Sequence, residues 1–405
     1  MLYQHLIRNN YPNYEALFDK AKISLSNLRQ SSKHDPLLST PFINDDIKEI
    51  NEIARNIRDN FKSLIILATG GSSLNGQIFT ELSDHKIDIK YLDNIDPITI
   101  DNILKNINIK ETAILCISKS GSTSETLAQL LVFVDFYNRN SSGNIGKSFF
   151  IITQEQQNPV REIAQQIGAT ILEHLPVGGR FSTFTNVALL PAAIAGINIE
   201  EIRHGASILL NTDNDAAAEG ASLCFAAMES GHNINVIMPY IDQLTSLVNW
   251  HCQIWAESLG KSPLATTPIR ASGTFDQHSQ LQLYLGGPKD KLFTFITRDN
   301  LTNAGPKITL ADNITKIEGT EFLLNKTIGD LISAHQSSTI ESLINNQSPV
   351  RNIIVKNIDA TTLGALAMHF MLETLIFGHM ANIDPFGQPA VEQGKIRTKE
   401  LMSKI

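Results

Sequence analysis

Short β-branched runs punctuate the chain, and between them apolar residues return at helical spacing. "SLIILATGG" (63–71), "IDIKYLDNID" (87–96), "TAILCISKSG" (112–121), "KSFFIITQ" (147–154) and "ATILEHLPVGG" (169–179) read as strands ending in turn residues. Apolar runs of this length without strict alternation mark strands covered on both faces. Strands alternating with helices predict a parallel, doubly wound sheet. The rhythm restarts after the helical segments "NVALLPAAIAG" and "AAAEGASLCFAAMES". Further strands are expected at "NINVIMPY" (233–240), "LQLYLGG" (281–287), "KLFTFITR" (291–298) and "NIIVKNI" (352–358). The pattern therefore predicts an α/β protein with two doubly wound domains. We place an N-terminal helical segment at 1–45, the first α/β domain at 46–200 and the second at 201–384. A C-terminal loop and helix follow at 385–405.

Composition narrows the function. A chain of 405 residues, 42% hydrophobic, is long enough for two domains of about 200 residues each. A net charge of −8 argues against a nucleic-acid or anionic-membrane partner, which leaves a basic footprint. Cys116, Cys224 and Cys252 are widely spaced and odd in number, with no metal-ligand or disulfide pattern. "MLYQHLIRNNYPNYEALF" lacks the apolar core of a signal peptide, and "NVALLPAAIAGINI" falls short of the ~18 residues of a membrane span. The expectation is a soluble cytoplasmic protein.

Within this frame, two strand-to-helix turns suit an anion. "ATGGSSLNG" offers Gly70 and Gly71, which permit close backbone approach, followed by Ser72 and Ser73. "SKSGSTSET" packs six hydroxyl side chains and Lys119 into the nine residues from Ser118 to Thr126. Helix N-termini present free N–H groups and favour negative charge. Serine-rich turns before helices are commonly only N-caps, and "GGSS" alone is compatible with that. Six hydroxyls exceed what one cap requires, which favours a phosphate. Neither the P-loop spacing nor G-x-G-x-x-G is present.

Other candidates lie downstream. Gln253 and Glu257 in "QIWAESLGK" share one helical face. Glu257 reads either as a surface glutamate or, beside Trp250, Ile254 and Trp255, as a base able to move a carbon-bound proton. His278 sits in the polar turn "GTFDQHS" before an expected strand. Arg180 in "GGRFS" could stabilise an oxyanion or form an ordinary ion pair. "DPFGQPAVEQGK" carries Gln388 and Lys395, which alone read as a loop and a helix start.

In chain order, "GGSSLNG", "SKSGSTSET", "GGRFS", "ESLGK", "GTFDQHS" and "DPFGQPAVEQGK" resemble the motifs of the glucose-6-phosphate isomerase family. The resemblance runs from about residue 60 to the C-terminus. It implies two flavodoxin-like sugar-isomerase domains and interconversion of glucose 6-phosphate and fructose 6-phosphate through a cis-enediolate. By resemblance, Gly71, Ser72, Ser118, Lys119, Ser120 and Thr123 form the sugar-phosphate cradle. Glu257 matches the base that moves a proton between C1 and C2, and Arg180 the residue that stabilises the enediolate. His278 and Lys395 match groups that help open the sugar ring, and Gln253 and Gln388 match substrate contacts. The family delivers its histidine from a partner subunit, so a homodimer is implied. No metal or cofactor is expected.

The chain departs from the family pattern in places. Ala68 and Thr69 precede the glycine pair, Asn75-Gly76 replaces a usual Gly-Pro, Gly387 a usual aspartate and Ala390 a usual glycine. The N-terminal region is short. Two alternatives remain at this stage: an isomerase that also accepts mannose 6-phosphate, and a non-catalytic sugar-phosphate sensor. Glu257, His278 and Lys395 together speak against the sensor. The missing dinucleotide fingerprint speaks against an oxidoreductase.

Overall fold

The computed structural model describes residues 2–83, 87–312, 314 and 317–405, and among these residues two five-stranded sheets are formed. The strands are β1 (Tyr3–Arg8), β2 (Ser63–Leu67), β3 (Asp88–Leu92), β4 (Thr112–Ile117), β5 (Phe149–Thr153), β6 (Thr170–Glu173), β7 (Ile234–Pro239), β8 (Thr267–Arg270), β9 (Lys291–Arg298) and β10 (Val350–Val355). The first sheet has the order β3-β2-β4-β5-β6, with every neighbour parallel. Its central strands β4 and β5 are buried along their whole length, which explains their unbroken apolar runs. The order reverses between β2 and β4. Ligands of doubly wound sheets bind at such a reversal, beyond the carboxyl ends of the strands. The two serine-rich turns are the ones that leave β2 and β4, so the topology sets them side by side.

The second sheet has the order β1-β10-β9-β7-β8. Strands β7 to β10 run parallel to one another, and β1 closes the edge antiparallel to β10, with Tyr3 opposite Val355. The fold is α/β with two doubly wound sheets, as the pattern predicts, except for this antiparallel edge.

Three elements correct the sequence reading. Residues 1–45 are not purely helical: they open with β1, and the helix Tyr14–Ser31 then packs on the helices Ala216–Glu229 and Ala360–Met380. "LQLYLGG" is a helix, Leu281–Gly286, and not a strand. Leu281, Tyr284 and Leu285 stand at helical spacing and pack on the cluster that includes Val236 and Phe293, while Leu283 is exposed. His278 therefore precedes a helix. Strand β8 was not anticipated; its "TPIR" carries Pro268 and is mostly exposed, as an edge strand permits.

The helix Ala360–Met380 is long and apolar enough to cross a membrane, but 94% of its most apolar window is buried within the protein. It packs on the helices Ile199–Asn211, Ala216–Glu229 and Thr245–Leu259. Its Glu373 is fully buried and accepts two bonds, at 2.6 and 3.0 Å, from the equally buried Arg351 of β10. Burial opposes the Glu373 charge, yet Arg351 and His369 outweigh it and hold the carboxyl well below its ordinary value. Tyr3 and His5 of β1 tie into this region, through His369 Nδ1 and Glu219 Oε2, each at 2.8 Å.

Candidate active site

Arg180 lies in the short 3-10 segment Gly179–Phe184 after β6, and its side chain is only 4% exposed. A buried guanidinium needs acceptors for its five N–H groups. Here all five are engaged. Nε donates to Ser258 Oγ at 2.8 Å, and Nη1 to Glu257 Oε2 at 3.1 Å and Gln388 Oε1 at 2.9 Å. Nη2 donates to the carbonyl oxygens of Pro385 at 2.7 Å and Gly387 at 3.0 Å. Burial lowers the Arg180 pKa, and the Glu257 charge pulls the other way.

Glu257 comes from the helix Thr245–Leu259, which ends at Gly260. Its other oxygen, Oε1, accepts from Gln253 Nε2 at 2.9 Å, one helical turn earlier. With 36% of its side chain exposed, Glu257 reaches solvent while Arg180 does not. The helix itself is anchored by Trp250, whose Nε1 donates to the Arg180 carbonyl at 2.9 Å.

The glycine turn closes on the same place. A Cβ on Gly71 would lie 2.5 Å from Arg180 N, so only glycine fits there. Asn75, fully buried, donates to the Gly179 carbonyl at 2.7 Å and accepts from Thr183. It thereby joins the helix Gly71–Thr80 to the Arg180 turn. Sequence reasoning marked Asn75 only as a departure from the family pattern and passed over Ser258 as a partner of the arginine. Both stand inside quoted motifs, and the signal lay there.

The second turn forms a cleft of about 740 Å³ whose walls include Thr69, Ser120, Ser122, Thr123, Lys395 and Lys399. Thr69 directly precedes Gly70, so this cleft adjoins the arginine cluster. The capping alternative is not realised at either helix. Thr123, the N-cap of Ser124–Asn140, makes no side-chain cap bond, and the N-cap of Gly71–Thr80 is Gly70. Ser118 is buried, and its Oγ has no hydrogen-bond partner among the described residues. Burial lowers the pKa of Lys119 beside it. Ser72 occupies the first turn of Gly71–Thr80, half-buried. Lys395, on the exposed helix Glu392–Met402, pairs with Glu392 at 2.7 Å.

The structure thus brings together Arg180, Glu257, Gln253, Gln388 and Gly71, and beside them Ser120, Thr123 and Lys395. His278 stands apart. It is exposed and lines a separate opening of about 570 Å³ with Asp242, Thr274 and Phe275.

The family model of phosphoglucose isomerase matches residues 51–405. The chain belongs to the phosphoglucose isomerase family. It is 31% identical to the glucose-6-phosphate isomerase of Carboxydothermus hydrogenoformans over 96% of this chain and 89% of that one. It is 34% identical to a probable glucose-6-phosphate isomerase of Haloarcula marismortui, over 88% of this chain and 81% of the relative. Among solved structures, a hypothetical protein of Thermus thermophilus superposes with a TM-score of 0.84 at 26% identity, covering 98% of this chain and all of that one. The Chlamydia trachomatis glucose-6-phosphate isomerase superposes with a TM-score of 0.82 at 17% identity, over 99% and 88% of the two chains, which supports the fold. In this member of the phosphoglucose isomerase family Gly387 sits at φ +68°, a backbone region favourable to glycine.

Proposed function

We propose that the protein interconverts glucose 6-phosphate and fructose 6-phosphate at the Arg180 cluster, and that the observation carrying this reading is Glu257 held between Arg180 and Gln253. Aldose–ketose isomerisation needs a carboxylate over the C1–C2 edge and a positive charge where negative charge develops on O1 and O2. Glu257 takes the proton from one carbon and returns it to the other. Arg180 stabilises the enediolate oxygen between those steps. Because all five guanidinium donors are engaged, the developing oxyanion takes over one already aimed at the cluster. Nη1, now shared by Glu257 and Gln388, is that donor. Gln388 then turns its amide to the sugar.

The 6-phosphate sits against Ser118, Lys119, Ser120 and Thr123, with Gly71 and Ser72 of the neighbouring turn completing the cradle. Free N–H groups at the uncapped helix Ser124–Asn140 favour it. Lys395 faces the same cleft and assists ring opening. His278 completes the acid–base pair from a second copy of the chain, in a homodimer. Its exposure beside Phe275, itself 74% exposed, supports that arrangement. Free Cys116, Cys224 and Cys252 support a cytoplasmic setting.

The test is a coupled assay that supplies fructose 6-phosphate and detects glucose 6-phosphate, with EDTA present and mannose 6-phosphate in parallel. EDTA-resistant turnover of fructose 6-phosphate is expected, and Glu257→Gln lowers kcat by about 10²–10⁴-fold with a smaller change in KM. Near-normal kcat in that variant removes Glu257 from the role. Turnover of mannose 6-phosphate as well would widen the substrate range.

A further inference from the structure

Residues 384–387 are gripped by two cations. Lys261 Nζ donates to the Asp384 carbonyl at 2.7 Å and to the Phe386 carbonyl, while Arg180 Nη2 takes those of Pro385 and Gly387. Four successive carbonyls therefore alternate between the lysine and the arginine. The next residue is Gln388, bonded to Arg180 Nη1. Lys261 lies just past the end of the helix that carries Glu257. Partial burial, and then the neighbouring Arg180 charge, lower the Lys261 pKa, as expected for two like charges served by one set of dipoles.

We propose that Lys261 is a positioning residue for the isomerisation: by holding the Asp384 and Phe386 carbonyls it fixes the segment that orients Arg180 and presents Gln388. The inference rests on the reading of the Arg180 cluster as the reaction centre. Without the lysine, the segment keeps Arg180 and the packing of Phe386 on Phe181, 5.5 Å between ring centroids, and drift of its carbonyls turns the guanidinium with them. Misplacement of a reacting group by ~1 Å can cost about 10²-fold in rate. The phosphate turn belongs to another sheet and is untouched, so binding is affected less than turnover.

The experiment compares Lys261→Met, Lys261→Gln and Lys261→Arg with the wild type, using fructose 6-phosphate. Lys261→Met is expected to lower kcat about 10–100-fold with KM within about threefold. Lys261→Gln, the milder variant should methionine harm folding, falls between. Lys261→Arg restores most of kcat, because a guanidinium can serve both carbonyls. In a double-mutant cycle, Lys261→Met adds little to Gln388→Ala, since both act through the same segment. Wild-type kcat in both Lys261→Met and Lys261→Gln, a change confined to KM, or full additivity with Gln388→Ala overturns the inference alone. A wild type inactive on fructose 6-phosphate overturns the site reading and this inference with it.

Discussion

Replacing Arg180 by lysine keeps the positive charge and removes the geometry, so it isolates what the guanidinium contributes. The side chain now serves Ser258, Glu257, Gln388 and the carbonyls of Pro385 and Gly387. An ammonium has three N–H groups against five, so at least two of those acceptors lose their donor. The loop carbonyls can turn to water, but Ser258 is fully buried. Leaving such a group unmatched costs about 1–3 kcal/mol, which lowers the unfolding midpoint by a few degrees. The catalytic loss is larger. Removing one donor aimed at a developing oxyanion typically costs about 10²–10³-fold in kcat, or about 2.7–4 kcal/mol. We expect Arg180→Lys to lose kcat by that factor with KM within about threefold, because the phosphate cradle is intact. The assay is steady-state conversion of fructose 6-phosphate well below the unfolding midpoint, with calorimetric binding of a hexitol 6-phosphate to show an intact site. A variant that binds the hexitol phosphate normally and turns over within threefold of wild type would refute the reasoning.

Lys119→Met should raise KM about tenfold with less effect on kcat, since a phosphate contact is made equally in ground and transition states; an unchanged KM would take Lys119 out of the cradle. Mixing Glu257→Gln with His278→Ala subunits, each nearly inactive, should restore about a quarter of wild-type activity, because each hybrid dimer then has one intact site. No recovery after subunit exchange would argue against a shared site. Stability should fall in acid. Burial, set against the bond that His5 makes to the Glu219 carboxylate, lowers His5 to about 4, and burial lowers His251 to about 3. The unfolded chain therefore takes up protons near pH 6.5 that the folded chain refuses, which destabilises the fold by about 1.4 kcal/mol per pH unit for each histidine as pH drops towards those values. Urea midpoints at about pH 7 and about pH 5 measure this slope, and His251→Leu should flatten it; an equal slope in the variant would contradict the assignment.

The sequence made the first sheet almost fully legible, because strands such as β4 and β5 are buried on both faces and read as plain apolar runs. It concealed β1, whose inward residues include Tyr3 and the polar His5. A strand that buries hydrogen-bonding side chains leaves no apolar signature. The segment 281–287 misled in the opposite direction. Leucine at alternate positions looks like a strand, yet the packing selects Leu281, Tyr284 and Leu285. At the site, the motifs located Arg180, Glu257, Gln253 and Gln388, and the structure joins them through side-chain bonds. The grip of Lys261 and Arg180 on consecutive carbonyls was not legible, because backbone acceptors have no residue type.

The pairing of β1 with β10 bears on the order in which the protein is built. The first sheet draws on one continuous stretch from Ser63 to Glu173 and can close once that stretch has left the ribosome. The second must keep Tyr3–Arg8 waiting until Val350–Val355 arrives, and such distant pairing forms slowly. The Arg180 cluster spans both phases, taking Arg180 from the early part and Glu257 and Gln388 from the late one. A nascent chain can therefore hold a folded first sheet, with the turns after β2 and β4 in place, long before Glu257, Gln388 and Lys395 join it. No fragment ending short of Gln388 carries the assembled cluster.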